Sequence, residues 1–155
     1  MNKGIVTAVN VSGGGVPKLG VGHAAISAAG VAGDRQRDRK HHGGPDRAVC
    51  LYSLEVIEAL RREGHPITPG SAGENLTVSG LPWDRIVPGA QLRLGSTTLE
   101  VTSYTVPCKF IRESFVDGKF ERISQKTNPG WSRVYARVLV PGEVSVGDSV
   151  AVADT

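Results

Sequence analysis

Cys108 is the side chain in this sequence whose neighbours most favour chemistry. It follows Pro107, a residue that cannot donate to a strand ladder and that is favoured at the first position of a helix. The unpaired N–H groups of a first helical turn stabilise an anion, and Lys109 and Arg112 add positive charge. The pattern predicts a thiolate at Cys108, available as a nucleophile or as a ligand for a soft metal. The alternative is a small buried cysteine that packs beneath the end of a strand.

The second cysteine, Cys50, lies in the continuous apolar run of residues 48–52. Such a run predicts a central strand that is buried on both faces. We therefore expect Cys50 to be a core residue of low reactivity. With two cysteines and no signal-peptide pattern in residues 1–6, we expect a cytoplasmic protein without a disulfide framework.

Residues 33–47 form the most polar stretch, with five basic residues, three acidic residues and two adjacent histidines. One interpretation is a solvated charged loop, which the residues alone favour. The other is an anion-binding loop, because glycine lets backbone N–H groups approach a ligand and cationic side chains donate charge-assisted hydrogen bonds. The candidate donors of that loop are Arg35, His42, Gly43, Gly44 and Arg47.

The elements that must position these residues are mostly strands. Strand patterns occur at residues 5–11, 21–29, 48–52, 131–140 and 149–152. A hairpin is predicted over residues 87–101, and its second strand leads to Cys108. One clear helix is predicted over residues 54–62, with Ser53 as its N-cap. Glu74 and Asn75, beside a glycine, are typical of a turn before a strand. Short strands with Gly/Pro turns favour a mainly β barrel.

Composition sets the class of protein. The chain has 155 residues, 39% of them hydrophobic, which suits one globular domain spanning residues 1–155. No apolar run approaches the roughly 20 residues that span a bilayer, so we expect no membrane partner. A net charge of +3 permits an anionic ligand but is too small to predict nucleic-acid binding.

The order of motifs resembles the MOSC domain family, named for the C-terminal domain of molybdenum cofactor sulfurases. The resemblance covers nearly the whole chain. It is carried by residues 14–18 (GGVPK), 33–35 (GDR), 42–49 (HGGPDRAV), 73–76 (GENL), 107–108 (PC) and 142–148 (GEVSVGD). It implies a MOSC-type β-barrel with a few short helices.

The resemblance also implies a function. In the reducing branch of the family, the cysteine matching Cys108 binds molybdenum of the pterin cofactor, and some stand-alone members reduce N-hydroxylated compounds. Here Cys108 would be the metal ligand, and Arg35, His42 and Arg47, with Gly43 and Gly44, would hold the anionic pterin phosphate. Glu74 and Asn75 would orient ligand or small-molecule substrate. We expect the 35–47 loop and Cys108 to face one pocket.

Three functions stay open at this stage. The first is a molybdenum-dependent oxidoreductase, which would need a partner reductase because the chain has no flavin, haem or iron–sulfur motif. The second is a sulfur carrier or transferase that uses a persulfide on Cys108. The third is a non-catalytic anion- or cofactor-binding module.

The chain departs from the family at one place. Family members often have Thr-x-Pro-Arg-x-Pro-Cys before the site, and Tyr104 and Thr105 replace the first proline and the arginine here. Threonine does not reproduce the charge or the fork of donors of arginine. Cofactor affinity, substrate class or activity itself is therefore expected to differ.

Overall fold

A closed barrel of seven strands forms the centre of the computed structural model, which describes residues 3–35 and 44–153. Around the barrel the strands follow the order β1, β6, β5, β9, β8, β7 and β11, and β11 pairs back with β1. Their bounds, in chain order with the smaller strands, are β1 Lys3–Val11, β2 Leu19–Val21, β3 His23–Ser27, β4 Gly30–Val31, β5 Val49–Ser53, β6 Leu76–Ser79, β7 Gln91–Leu94, β8 Thr97–Tyr104, β9 Val134–Val140, β10 Gly142–Ser145 and β11 Ser149–Val152. The predicted mainly β barrel is confirmed.

A smaller sheet of β10, β3 and β4 lies beside the barrel. The prediction of one strand over residues 21–29 was wrong, because β2 and β3 are separate strands in different sheets. The segment Gly142–Ser145 was not predicted as a strand, but it pairs with His23–Ser27. This strand has a single buried apolar residue, Val144, so its alternation is too short to recognise in the sequence.

The predicted helix is confirmed as α1, Leu54–Arg62. Its N-cap is Ser53, whose Oγ accepts a hydrogen bond of 3.2 Å from the Val56 N–H. Ile57 and Leu60 are fully buried on one face. The other helical segments of the described chain are short 3-10 helices, at Pro45–Arg47, Trp83–Arg85, Lys109–Ser114, Val116–Gly118 and Phe120–Ile123.

Two apolar clusters organise the packing. The first fills the barrel with inward side chains such as Leu51, Leu76 and Leu99. The second lies outside it, between α1 and the segment that follows Cys108. Its members are Tyr52, Ile57, Leu60, Ile67, Ala72, Ile111, Phe115 and Ile123. The second cluster fixes the 3-10 segment Lys109–Ser114 on the barrel and so determines where Cys108 lies.

None of the helices in residues 3–35 and 44–153 is long and apolar enough to cross a membrane.

Candidate functional site

Cys108 lies where the chain leaves β8 and enters the 3-10 helix Lys109–Ser114. Its backbone is extended, with φ −139° and ψ 174°, so the prediction that it sits inside a first helical turn was wrong. Pro107 lies before the helix as well. The Cys108 carbonyl accepts a hydrogen bond of 3.1 Å from the Ile111 N–H, and Ile111 is anchored in the second apolar cluster. The Cys108 side chain is half-buried and remains accessible.

Tyr135 is a neighbour of the predicted site residue Arg47. The Arg47 guanidinium is 5.8 Å from the centre of the Tyr135 ring. Burial raises the pKa of the Tyr135 hydroxyl, and the charges of Cys50 and Cys108 raise this pKa further. The charges of Arg133 and Arg47 lower it. Arg47 therefore lies beside the ring of a residue on β9, the strand that pairs with β8, and Cys108 follows β8 in the chain. In the sequence Tyr135 only looks like a strand residue, so its position could not be predicted.

The rest of the predicted anion-binding loop is described in part. His42 and Gly43 lie outside the described residues. Gly44 has a φ of +95°, a conformation that favours glycine, directly before the 3-10 helix Pro45–Arg47. Arg35 is exposed, and its N–H donates a hydrogen bond of 2.8 Å to the Ser12 carbonyl. Arg35 is thus fixed by its backbone at the end of β1.

Asp34 joins the glycine-rich loop of residues 12–18 to the barrel. Its Oδ1 accepts hydrogen bonds from the Lys18 Nζ at 2.6 Å and from the Ser12 N–H at 3.0 Å. Its Oδ2 accepts one of 2.9 Å from the Asn75 side-chain amide. The Lys18 and Asp34 side chains are only 7% and 6% exposed. A buried ion pair, which the sequence pattern did not reveal, therefore holds this loop in place.

Asn75 is buried and bonded to three separate segments. Its Oδ1 accepts from the Cys50 N–H at 2.9 Å, and its Nδ2 donates to Asp34 and to the Asn10 carbonyl at 3.3 Å. These contacts join β1, β5 and the Asp34 loop. Every polar atom of the Asn75 amide thus serves the framework of the site, and its predicted role toward a ligand stays a prediction.

Glu74 is also fully buried. Its Oε2 accepts hydrogen bonds from the Gly70 N–H at 3.0 Å and from the Thr77 hydroxyl at 2.9 Å. Its Oε1 has no hydrogen-bond partner in the described part of the chain. Burial raises the pKa of Glu74, although these hydrogen bonds and the charge of Arg133 lower it.

Arg133 is a buried cation beside the replaced family position. The Thr105 N–H donates a hydrogen bond of 3.0 Å to the Arg133 carbonyl, and the Thr105 hydroxyl is 3.6 Å from the Cys50 Sγ. The Arg133 guanidinium donates to the Ala72 carbonyl at 2.6 Å. Its Nε has no partner among residues 3–35 and 44–153. A guanidinium is therefore present near position 105, on Arg133, the residue directly before β9.

Cys50 behaves as expected for a core thiol. It is 4% exposed in β5, and burial raises the pKa of its thiol. The described residues contain no cluster of three or more His, Cys, Asp or Glu side chains that could hold a metal ion. A metal at this site would have one protein thiolate, Cys108, as its soft ligand.

The fold and the site together define a class of domain. It is a mainly β barrel with an accessible thiol, Cys108, followed in the chain by the cations Lys109 and Arg112. The family model for the MOSC domain matches residues 38–151. The chain therefore belongs to the MOSC domain family, as its motifs predicted.

The relatives found by sequence are stand-alone proteins of this family. The chain is 37% identical over 119 residues to the uncharacterized protein YflK of Bacillus subtilis (strain 168), covering 74% of this chain and 52% of YflK. It is 32% identical over 129 residues to YiiM of Escherichia coli (strain K12), covering 80% of this chain and 56% of YiiM. The chain thus spans about half the length of these curated relatives.

The solved structures agree on the fold. The crystal structure of YiiM from Escherichia coli matches 97% of this chain and 70% of YiiM, with a TM-score of 0.72 and 25% identity. The YUAD protein from Bacillus subtilis matches 97% of this chain and 95% of its own, with a TM-score of 0.75 and 18% identity. The latter likeness concerns the fold alone.

Proposed function

We propose that this MOSC domain binds the molybdenum cofactor and reduces N-hydroxylated small molecules with electrons from a partner reductase. The observations that support this most are the accessible Cys108 thiol, which follows β8, and the Arg47 guanidinium, which lies 5.8 Å from the centre of the Tyr135 ring on β9, the strand paired with β8. A soft thiolate suits molybdenum, and a guanidinium suits a phosphate group. The residues present therefore fit a cofactor that carries both a metal and a phosphate.

Each residue has a distinct role in this proposal. Cys108 ligates the metal through its sulfur. Arg47 and Arg35 hold the pterin phosphate by charge-assisted hydrogen bonds, together with the loop residues His42, Gly43 and Gly44. Glu74 and Asn75 orient ligand or substrate only indirectly, by holding the surrounding segments in place, because both are buried and bonded to protein groups.

The net reaction fixes what the partner must supply. Reduction of an N-hydroxylated compound breaks the N–O bond, consumes two electrons and two protons, and releases water and the amine. The cofactor supplies the redox chemistry when bound. In this proposal the electrons come from a partner reductase that carries its own redox cofactor.

A sulfur carrier is the second candidate, and the accessibility of Cys108 favours it. A persulfide on this cysteine must meet an acceptor molecule, which a half-buried thiol next to exposed Lys109 permits. Mass spectrometry of the protein before and after treatment with a thiol reductant separates the two functions. A mass increment of one sulfur on Cys108 without molybdenum supports the carrier, whereas molybdenum without the increment supports the oxidoreductase.

The proposed function is tested by loading variants with cofactor in cells that have an intact cofactor pathway. Arg47→Ala should lower cofactor affinity by about 10- to 150-fold, the loss expected for one hydrogen bond between charged groups. It should lose pterin and molybdenum together. Cys108→Ser should lose molybdenum in preference to pterin, because serine lacks the soft sulfur.

Two matched variants control for indirect effects. Arg93→Ala removes an exposed arginine from β7, and Cys50→Ala removes the buried thiol. Molybdenum and oxidised pterin are measured in parallel on folded protein. Unchanged pterin in Arg47→Ala would contradict the phosphate role, and unchanged molybdenum in Cys108→Ser would contradict the ligand role.

A further inference from the structure

Strand β8 carries an extra residue where it passes the 3-10 helix Pro45–Arg47. Its pairing with β9 shifts register between Val101 and Ser103, so Thr102 is the extra residue of a β-bulge. A bulge interrupts the regular pairing and turns a side chain in a new direction, and bulges are common next to functional sites. From this bulge the chain continues along β8 toward Cys108.

The Thr102 hydroxyl contacts two backbone groups in the surroundings of Arg47. It donates a hydrogen bond to the Asp46 carbonyl, in the middle of the 3-10 helix, and shares this bond with the Tyr135 carbonyl at 3.3 Å. The Tyr135 ring is the one whose centre lies 5.8 Å from the Arg47 guanidinium. One hydroxyl therefore contacts both the helix that carries Arg47 and the residue beside which the guanidinium lies.

A second contact with the same helix is weaker. The Arg137 guanidinium is 3.9 Å from the Asp46 carboxylate, and it also pairs with Glu100 of β8. The Asp46 side chain is 75% exposed and that of Arg137 is 49% exposed, so water and salt screen their attraction. The hydrogen bond from the Thr102 hydroxyl is therefore the contact that matters more for the position of the helix.

We propose that Thr102 is a positioning residue of the candidate site. Its hydroxyl holds the 3-10 helix Pro45–Arg47 against β8 and β9, and so keeps the Arg47 guanidinium beside Tyr135. A guanidinium that is already held in place loses less conformational entropy when it binds a phosphate group, so the affinity for phosphate depends on this hydroxyl. The phosphate role rests on the proposed function, whereas the positioning of Arg47 rests on these contacts alone.

The NMR resonances of Arg47 test the positioning on the purified chain without cofactor. The ring current of Tyr135 shifts protons close to its ring, so the Arg47 side-chain resonances report whether the guanidinium lies there. Thr102→Val keeps the branched shape of threonine but lacks the hydroxyl. Its Arg47 resonances should move toward those of Arg93, which is exposed on β7. Thr102→Ala should give the same result, whereas Thr102→Ser keeps the hydroxyl and should match the wild type.

The pterin content of folded protein tests the consequence for binding, in cells with an intact cofactor pathway and at loading below saturation. Thr102→Val should lower the affinity about 2- to 13-fold, the factor for one hydrogen bond. In an Arg47→Ala background the same change should have no further effect, because a residue that acts through another is not additive with it. Thr98→Val is the matched control, since Thr98 also lies on β8 but pairs with Val140, the last residue of β9.

The two measurements separate this inference from the proposed function. Displaced Arg47 resonances in Thr102→Val, together with a wild type that never acquires pterin, would support the positioning and refute the cofactor role. Unchanged Arg47 resonances in Thr102→Val would overturn the inference, whether or not the wild type binds pterin. A loss of pterin affinity of equal size with and without Arg47 would also overturn it, since Thr102 would then act independently of the guanidinium.

Discussion

Removal of the buried Asp34 carboxylate should strongly lower the free energy of unfolding. In Asp34→Ala the Lys18 ammonium, 7% exposed, loses its partner at 2.6 Å. The Ser12 N–H and the Asn75 side-chain amide lose an acceptor as well. Breaking a buried pair by removing one partner costs about 3–5 kcal/mol. Since a domain of this size has roughly 5–15 kcal/mol of stability in total, the variant should be marginal.

Urea unfolding followed by circular dichroism measures this cost. Glu63→Ala is the control, because it breaks the exposed ion pair of Glu63 with Arg122, in which the Glu63 side chain is 39% exposed. Exposed pairs contribute about 0.2–1 kcal/mol, so the control should lose far less stability than Asp34→Ala. An unchanged slope of free energy against urea concentration is needed for the comparison.

The double variant Lys18→Met/Asp34→Leu tests the physical reason. If the cost arises from leaving a charge buried without a partner, removal of both charges should restore part of the stability lost in Asp34→Ala. Equal losses in Asp34→Ala and Glu63→Ala, or a double variant less stable than Asp34→Ala, would refute the reasoning.

Three further predictions concern single residues. Burial raises the pKa of Glu74, so this carboxyl group contributes stability below its unfolded-state pKa of about 4.3, and the contribution is lost as pH rises. Unfolding experiments should therefore show Glu74→Gln gaining stability relative to wild type as pH rises from about 4 to about 7. A difference in stability between the two proteins that does not change with pH would contradict this. Alkylation mapped by mass spectrometry should modify Cys108 before Cys50, and the reverse order would invalidate the site assignment. Gly70→Ala should lower the free energy of unfolding, measured in urea, by more than about 1 kcal/mol, because the new Cβ would lie 2.3 Å from the Lys18 carbonyl oxygen at a φ of +85°; an unchanged free energy would exclude that clash.

The sequence predicted those elements of the fold in which apolar residues recur at the regular spacing of a helix or a strand. Residues 54–62 have a cap, an apolar stripe and a stop signal, so α1 was predicted with its exact bounds. Leu99 and Val101 alternate with polar residues, and β8 buries them as expected. Strand β10 has a single buried side chain, so it could be recognised only from its pairing with β3.

The candidate site depends mostly on contacts between distant segments, which no local pattern records. Cys108 could be singled out from its neighbours, but its extended backbone is set by the packing of Ile111 and Phe115 against α1. Tyr135 approaches Arg47 only because β9 lies between β5 and β8 in the barrel. The motifs that contain Asp34 and Lys18 were both recognised, but the buried ion pair that joins them was not predicted.

The position of Thr105 shows how a departure from a family pattern is understood only in three dimensions. In the sequence, its replacement of an arginine predicted a loss of positive charge near the thiol. In the structure, the Thr105 side chain points inward at Cys50, where a guanidinium would have to be buried. Arg133 supplies a buried guanidinium from the segment hydrogen-bonded to Thr105, with its Nε unpartnered in the described chain. A buried guanidinium therefore lies close to position 105, because the barrel brings positions 105 and 133 side by side.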